Sequence, residues 1–256
     1  MNRKTTFNKN FSENENQIIE GRNSVFEALR TGRAIDKILY AEGDKNISHI
    51  LALAKKTGVV SSKCDRRKLD AIATSGAHQG VIAFAAAHEY STVDDILAFA
   101  EKSGRAPLIV VCDEISDPHN LGAIIRSAEA AGAHGVIIPK RRNAGLTAVV
   151  AKVSSGAIEH IPVARVSNIA STLNELKKKG LWIYGTGLAA TTASLYETDL
   201  KGPSVIVIGS EGDGMGRLVG ECCDVVMSIP MLGKTQSLNA SAAAAVVLFE
   251  ALRQRI

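Results

Sequence analysis

The chain has 256 residues, enough for one large domain or two modest ones, and a hydrophobic fraction of 46% supports a sizeable core. No apolar run reaches the ~18 residues of a membrane span, which excludes a membrane-spanning protein. The four cysteines lack the spacing of a zinc or redox motif, which excludes a protein built on such a motif. The net charge of +4 permits an RNA partner, but a slightly basic enzyme with no polyanionic partner fits the charge equally well.

The first part of the chain predicts a tail and a small domain. Residues 1–17 are polar and rich in asparagine, without the apolar core of a secretory signal, so we expect a disordered tail. Residues 18–88 alternate strand and helix patterns, with a helix from Arg22 to about Thr31, a second helix closed by Gly58 and a last strand, GVIAFAAA. This alternation predicts a small α/β domain, and the reduced cysteines are typical of a cytoplasmic protein.

The remainder predicts a connector and a larger α/β domain. Residues 89–106 form a linker with one short helix, VDDILAFAEKSG. Residues 107–256 contain near-continuous apolar strands that alternate with helices, which is typical of a buried, mainly parallel sheet. The predicted strands are LIVVCDE, GVIIPK, IPVARV, LWIYGTG, SVIVIGSE and VVMSIP.

Two basic clusters stand near predicted strand ends. Lys63 to Lys68 reads KCDRRK in the small domain, and Pro139 to Asn143 reads PKRRN in the large one. Such clusters are more often solvated surface than binding patches, although two of them raise the RNA interpretation.

A first motif spans Asp113 to Pro139. A strand ends, Asp117-Pro118 turns the chain, and we expect a helix to begin near Asn120, with that residue as its N-cap. Arg126 lies on a small and apolar stripe of this helix. Either its stem packs on the surface with the head in water, or the guanidinium points into a cleft and clamps a phosphate or carboxylate.

A second motif, VIVIGSEGDGMG, runs from an apolar strand into four glycines with Glu211 among them. Loops at the carboxyl ends of parallel strands are where open α/β sheets bind ligands, and glycines let the backbone approach closely. The spacing does not give G-x-G-x-x-G, so a nicotinamide-dependent dehydrogenase is not supported. A plain strand-to-helix turn is the alternative.

A third motif, IPMLGKTQSLNASAAAA, contains Gly-Lys-Thr, the end of a phosphate-binding loop. Ser228 stands where that loop needs its first glycine, so we do not interpret the segment as a phosphate-binding loop. A helix begins near Ser237 or Asn239, both of which can cap it, and its alanines indicate another backbone close by. Three converging loops with few charges suit a flat, mostly neutral group such as adenine.

Together, NLGAIIR, IGSEGDGMG and IPMLGKTQSLNASAAAA resemble motifs one to three of the SpoU (TrmH) family of RNA ribose 2′-O-methyltransferases, within the SPOUT class. EGRNSVFEAL and AHQGVIAF resemble the two ends of the ribosomal-protein-like substrate-binding domain of RlmB-type members. The resemblance implies a trefoil knot that threads Val225 to Ala245, a rare exception to unthreaded folds. It also implies a homodimer and S-adenosylmethionine as cofactor, with no metal.

The resemblance also implies roles for individual residues. The expected cofactor contacts are Thr186, Gly209, Ile229 and Leu238. The expected catalytic residues are Asn120, Arg126, Glu211, Ser237 and Asn239. Because a guanidinium stays protonated, Arg126 is expected to clamp a phosphate rather than act as a base.

Within the family, the architecture predicts 2′-O-methylation of a guanosine in large-subunit (23S-type) ribosomal RNA. A related enzyme acting on tRNA or on another ribosomal nucleotide is the alternative. A non-catalytic RNA-binding protein of ribosome assembly is an alternative of another class, but it predicts loss of the motif residues, and all of them are present.

Overall fold

The computed structural model describes residues 18–43, 45–187, 192–210, 212, 214–235 and 237–256. The predicted tail, residues 1–17, lies outside the described residues. The chain divides into two compact units, Met1–Ala87 and His88–Ile256. None of the helices in the described part is long and apolar enough to cross a membrane.

The described part of the first unit is a four-stranded mixed sheet with three α-helices. Strand β4 pairs antiparallel with both β1 and β2, and β2 pairs parallel with β3, in the order β1-β4-β2-β3. The elements are β1 (Ile18–Glu20), α1 (Arg22–Arg30), β2 (Ile35–Ala41), α2 (Ser48–Thr57), β3 (Val60–Cys64), α3 (Arg66–Ile72) and β4 (Val81–Ala85). The predicted helices and strands of this unit are therefore confirmed, with ends that differ by one or two residues.

The second unit is a parallel sheet with helices between its strands. Its elements are α4 (Val93–Ser103), β5 (Leu108–Cys112), α5 (Pro118–Ala130), β6 (Gly135–Pro139), α6 (Ala148–Val153), β7 (Val163–Val166), α7 (Ile169–Lys178), β8 (Trp182–Thr186), β9 (Ala193–Ser194), β10 (Ser204–Ile208), α8 (Arg217–Glu221), β11 (Val225–Ser228) and α9 (Ala240–Arg255). The six predicted strands are confirmed, whereas β9 and α8 were missed because they have only two and five residues.

All strand pairs of this sheet are parallel, in the order β7-β6-β5-β10-β8-β11-β9. Strands β5 and β10 are buried along their full length, which explains their unbroken runs of apolar residues. The chain builds β5, β6 and β7 in one direction and returns on the other side of β5. The junction of β5 and β10 is therefore the switch point, and the carboxyl ends of β5, β10, β8 and β11 share one edge of the sheet.

Strand β11 lies between β8 and β9, both of which come earlier in the chain. This order is consistent with the threading of residues 225–245 that the family resemblance implies. The trefoil knot itself stays a prediction.

The segment predicted as a linker, residues 89–106, belongs to the second unit. Its helix α4 begins with a capping box in which Thr92 and Asp95 bond each other's backbone N–H. Ile96 of this helix is fully buried in the core of the sheet's unit and packs tightly against Gly135. The connector thus covers part of the sheet.

The start of α5 differs from its prediction. The helix begins at Pro118, and the N-cap is Asp117, whose side chain accepts from the His119 N–H at 2.8 Å. Asn120 is therefore not the N-cap. Proline is favoured at the first helical position because its fixed φ suits the helix and its missing N–H needs no partner there, so the Asp-Pro pair starts the helix earlier.

Candidate functional site: two adjoining cavities at the strand ends

A cavity of about 390 Å³ opens where β8, β10 and β11 end. The four residues predicted to contact the cofactor, Thr186, Gly209, Ile229 and Leu238, all line it. They come from separate segments of the chain, and the parallel sheet brings them together because its strands end at one edge. The described lining residues carry no formal charge.

Gly209 determines how closely the walls of this cavity approach. A Cβ atom there would lie 2.6 Å from the Gly214 carbonyl oxygen and would overlap the Gly214 and Met215 backbone. The loop closes on itself because Ser210 and Gly214 exchange backbone hydrogen bonds of 2.9 and 3.1 Å. Gly214 has a φ of +67°, which favours glycine. Gly209 thus occupies a position where no Cβ atom fits, next to the backbone pairing of Ser210 and Gly214.

Asp113 ties this glycine loop to the end of β5. Its Oδ2 accepts from the Gly216 N–H at 2.8 Å, and its own N–H donates to the Ile208 carbonyl at 2.8 Å. Burial raises the pKa of this carboxyl above its ordinary value, the neighbouring Glu114 adds to the increase, and the Gly216 N–H opposes it. Asp113 is not among the predicted site residues, although its position directly after a buried strand was a usable signal.

Asn239 joins the first and third motifs. Its Oδ1 caps α9 by accepting from the N–H groups of Ser241 and Ala242 at 3.0 and 3.3 Å, which confirms the predicted cap. Its Nδ2 donates to Asn120 Oδ1 at 3.0 Å. Two predicted catalytic residues that are 119 positions apart are therefore in direct contact.

Arg126 lies on the exposed side of α5 and is not part of the cavity wall. Its Nη1 donates to Ser155 Oγ at 3.2 Å, and Ser155 has a φ of +52°. The helix itself packs closely on α6, since a Cβ at Gly122 would meet Val153 at 2.8 Å. The guanidinium is thus held at the surface by a residue from the segment after α6.

The two remaining predicted catalytic residues have different outcomes. Ser237 is exposed and lines the cofactor-side cavity. Glu211 lies outside the described residues. The Gly-Lys-Thr of the third motif is exposed, and four residues separate Thr235 from the start of α9, so it does not lead directly into a helix as a phosphate-binding loop does.

A second cavity, of about 380 Å³, shares Ser210, Gly212 and Ala240 with the first. Its wall carries ionisable and amide side chains, namely Glu114, Asp117, Asn120 and Arg142. Arg142 belongs to the PKRRN cluster that the sequence singled out, but Glu114 and its pairing with Arg142 were missed. The shared wall places a cavity whose described lining residues carry no charge beside one lined by ionisable side chains.

S-adenosylmethionine fits the first cavity by size and by chemistry. Small-molecule sites usually measure ~300–1,000 Å³ and are mostly apolar with a few polar groups, and the exposed backbone of the glycine loop can supply such groups to an adenine. Within the described residues, no group of three or more histidines, cysteines or carboxylates is arranged to hold a metal ion.

Comparison with known proteins agrees with this arrangement. Residues 107–249 match the SpoU rRNA Methylase family, and residues 18–91 match the family described as RNA 2′-O ribose methyltransferase substrate binding. A relative from Bacillus subtilis (strain 168), provisionally named TrmH family tRNA/rRNA methyltransferase YacO, is 47% identical over 94% of this chain and 97% of its own.

Two solved structures share the fold. An AdoMet-bound rRNA methyltransferase from Sinorhizobium meliloti has a TM-score of 0.60 and 25% identity, covering 94% of this chain and 88% of its own. A TrmH/SpoU tRNA modifying enzyme from A. aeolicus has a TM-score of 0.55 and 31% identity, covering 59% and 76%. The fold and the site define an RNA methyltransferase that uses S-adenosylmethionine. Within that class, the chain belongs to the SpoU (TrmH) family.

Proposed function

We propose that the protein methylates the ribose 2′-oxygen of a guanosine in large-subunit ribosomal RNA. The observation that carries the chemistry is the pair of adjoining cavities, one whose described lining residues are uncharged and the other lined by ionisable side chains. The first suits the methyl donor and the second suits an acceptor nucleotide. Their shared wall at Ser210, Gly212 and Ala240 would bring the two substrates next to each other.

The choice of ribosomal RNA rests on the small unit. The S. meliloti rRNA methyltransferase matches 94% of the chain, including the region of the substrate-binding family model, whereas the A. aeolicus tRNA modifying enzyme matches only 59%. A second tRNA-related structure, titled for 2-OH methylation of C/U34 on tRNA, matches 58%. A tRNA substrate is the second candidate, since the B. subtilis relative carries both substrates in its name.

The bound cofactor supplies a methyl group on a sulfonium, which is already a good leaving group. The residues of this chain must position the ribose and make loss of its 2′-hydroxyl proton less costly. In this proposal, Arg126 clamps the adjacent phosphate and stabilises the negative charge that develops on the 2′-oxygen. Its exposure at the surface leaves it accessible to an RNA strand.

Asn120 and Asn239 hold the two sides of the site in register. Their 3.0 Å hydrogen bond joins α5, which carries Arg126, to the start of α9, which borders the cofactor side. Ser237 orders the loop before α9. For Glu211, which lies outside the described residues, we keep the role of holding Arg126 or an active-site backbone group.

We also propose that the protein is a homodimer, as the family resemblance implies. Sedimentation equilibrium would test this, with a mass of twice the 27.1 kDa chain expected.

The experiment for the function uses radiolabelled S-adenosylmethionine with unmodified ribosomal RNA and tRNA in separate reactions. The RNA is digested to nucleosides, and the labelled one is identified. Label in 2′-O-methylguanosine from ribosomal RNA supports the proposal. Label in tRNA alone keeps the mechanism but makes tRNA the substrate. No label in either RNA or in ribosomal precursor particles favours the non-catalytic alternative.

A further inference from the structure

The polar cavity contains an ion pair that the mechanism above does not use. Arg142 Nη1 donates to Glu114 Oε1 at 3.0 Å, and both residues line the cavity. Glu114 follows β5 and Arg142 follows β6, so the two residues come from neighbouring parallel strands. The Ala144 N–H donates to the Ile115 carbonyl at 2.8 Å and fastens the two loops together.

Both partners of this ion pair have left-handed backbone conformations. The φ angle is +60° at Glu114 and +57° at Arg142. Residues other than glycine seldom adopt such angles, and those that do cluster at functional sites. The ion pair does not explain this conformation, because its side chains are 41% and 78% exposed and exposed pairs contribute little to stability. The position of both side chains at the cavity is a better reason.

The chemistry of the Arg142 side chain and of the cations next to it indicates what it binds. The guanidinium has five N–H donors in a fixed fork that matches the oxygens of a phosphate, and the bond to Glu114 uses one of them. Lys140 and Arg141 precede it and add positive charge. The carboxylate of Asp117 is already engaged as the N-cap of α5.

We propose that Arg142 binds an RNA backbone phosphate beside the acceptor ribose, and that Glu114 is a positioning residue that holds the guanidinium at the cavity wall. This inference rests on the proposed function, since it takes the polar cavity as the acceptor side. It adds a second cation from a different strand end to the clamp at Arg126. Two arginines contacting the strand would fix both its position and its direction.

The experiment measures binding of unmodified large-subunit ribosomal RNA, transcribed in vitro, over a series of salt concentrations. We expect Arg142→Ala to weaken binding about tenfold and to reduce the slope of log K against log salt by ~0.7–0.9, the value for one phosphate contact. Arg141→Ala is the matched control, since Arg141 is the adjacent exposed cation but does not line the cavity. Its effect should be under about threefold because it supplies only general attraction.

Two further variants separate binding from folding. Glu114→Gln keeps an oxygen that can accept from Arg142, so RNA binding should stay within about twofold of the wild type, whereas Glu114→Ala should weaken it. Arg142→Gly removes the side chain and suits a positive φ, so it should melt no lower than the wild type and yet lose RNA binding as Arg142→Ala does.

Three results would overturn the proposal: equal effects of Arg142→Ala and Arg141→Ala, normal RNA binding by Arg142→Gly, or loss of S-adenosylmethionine affinity in Arg142→Ala. The last would show that Arg142 supports the structure of the whole site. RNA binding and its salt slope do not need methyl transfer. A wild type that binds RNA but does not methylate it removes the proposed function, while the variants still decide the role of Arg142.

Discussion

The two adjoining cavities of the second unit are built by different means. The cofactor-side cavity is lined by glycines and by hydroxyl and apolar side chains at the ends of β8, β10 and β11 and the start of α9, without a formal charge among its described residues. The neighbouring cavity has almost the same volume but is walled by Glu114, Asp117, Asn120 and Arg142. The described lining of the first cavity is uncharged, and that of the second carries ionisable side chains.

The two cavities should therefore tolerate substitutions differently. The cofactor-side cavity depends on the close backbone approach at Gly209, so it should fail when an added atom moves that loop. A site built from exposed charged side chains should lose function one contact at a time, with little effect on folding. Single substitutions should therefore damage one cavity while sparing the other, or disturb the wall between them.

The largest effect is expected on the acceptor side. Arg126→Ala should lower kcat by about 10²–10³-fold, the usual loss on removal of one group that stabilises charge in a transition state. Affinity for S-adenosylmethionine should stay within about twofold, because Arg126 does not line the cofactor-side cavity. Single-turnover methylation and cofactor titration would measure both. Arg126→Lys keeps the charge but loses the planar fork, so its kcat should lie between those of the wild type and Arg126→Ala. Full activity in Arg126→Ala would contradict the mechanism.

The next effect is expected on the cofactor side. Gly209→Ala places a methyl group against the backbone of Gly214 and Met215, so it should lower the free energy of unfolding by about 1–3 kcal/mol. It should also weaken S-adenosylmethionine binding more than about tenfold, because the loop must move. Gly212→Ala is the control, since it lines the same cavity and a Cβ there meets no described atom within 4 Å. Equal losses in both variants would show that the tight approach at Gly209 is not what matters.

The contact between Asn120 and Asn239 is expected to matter less. Asn239→Ala removes the cap of α9 and should lower the free energy of unfolding by about 1 kcal/mol. Asn239→Asp keeps the capping oxygen but loses the Nδ2 donor to Asn120, so its stability should be close to that of the wild type while kcat falls. Thermal unfolding and steady-state kinetics separate the two roles. An Asp variant with full activity would reduce Asn239 to a cap.

The smallest effect concerns Asp113, which fastens the wall. Its folded-state pKa is raised, chiefly by burial, so ionisation costs the folded state more than the unfolded one. Its contribution to stability is therefore complete below the unfolded-state pKa near 3.8 and declines as pH rises through the folded-state value. Asp113→Asn keeps an oxygen for the Gly216 N–H and removes this dependence. The difference in free energy of unfolding between Asp113→Asn and the wild type should favour the variant more at pH 7 than at pH 3. Urea unfolding at both pH values would measure it, and the opposite order would contradict the raised pKa of Asp113.

The cofactor-side cavity could be predicted from the sequence better than the neighbouring polar cavity. The strands and the glycine loop were predictable because apolar runs and glycines are local signals, and Thr186, Gly209, Ile229 and Leu238 do share one cavity. The pairing of Glu114 with Arg142 was not predictable from the sequence, since the two residues are 28 positions apart and meet only because β5 and β6 are neighbours. The Asn120 cap was wrong because the Asp-Pro pair outcompeted it.

The most direct test titrates Gly209→Ala and Arg142→Ala each with S-adenosylmethionine and with unmodified large-subunit ribosomal RNA. If the cavities divide cofactor from acceptor, Gly209→Ala should lose affinity for S-adenosylmethionine and keep its affinity for RNA. Arg142→Ala should keep its affinity for S-adenosylmethionine and lose affinity for RNA. Loss of both ligands in both variants, or normal cofactor binding by Gly209→Ala, would contradict the division of the site into two cavities with separate ligands.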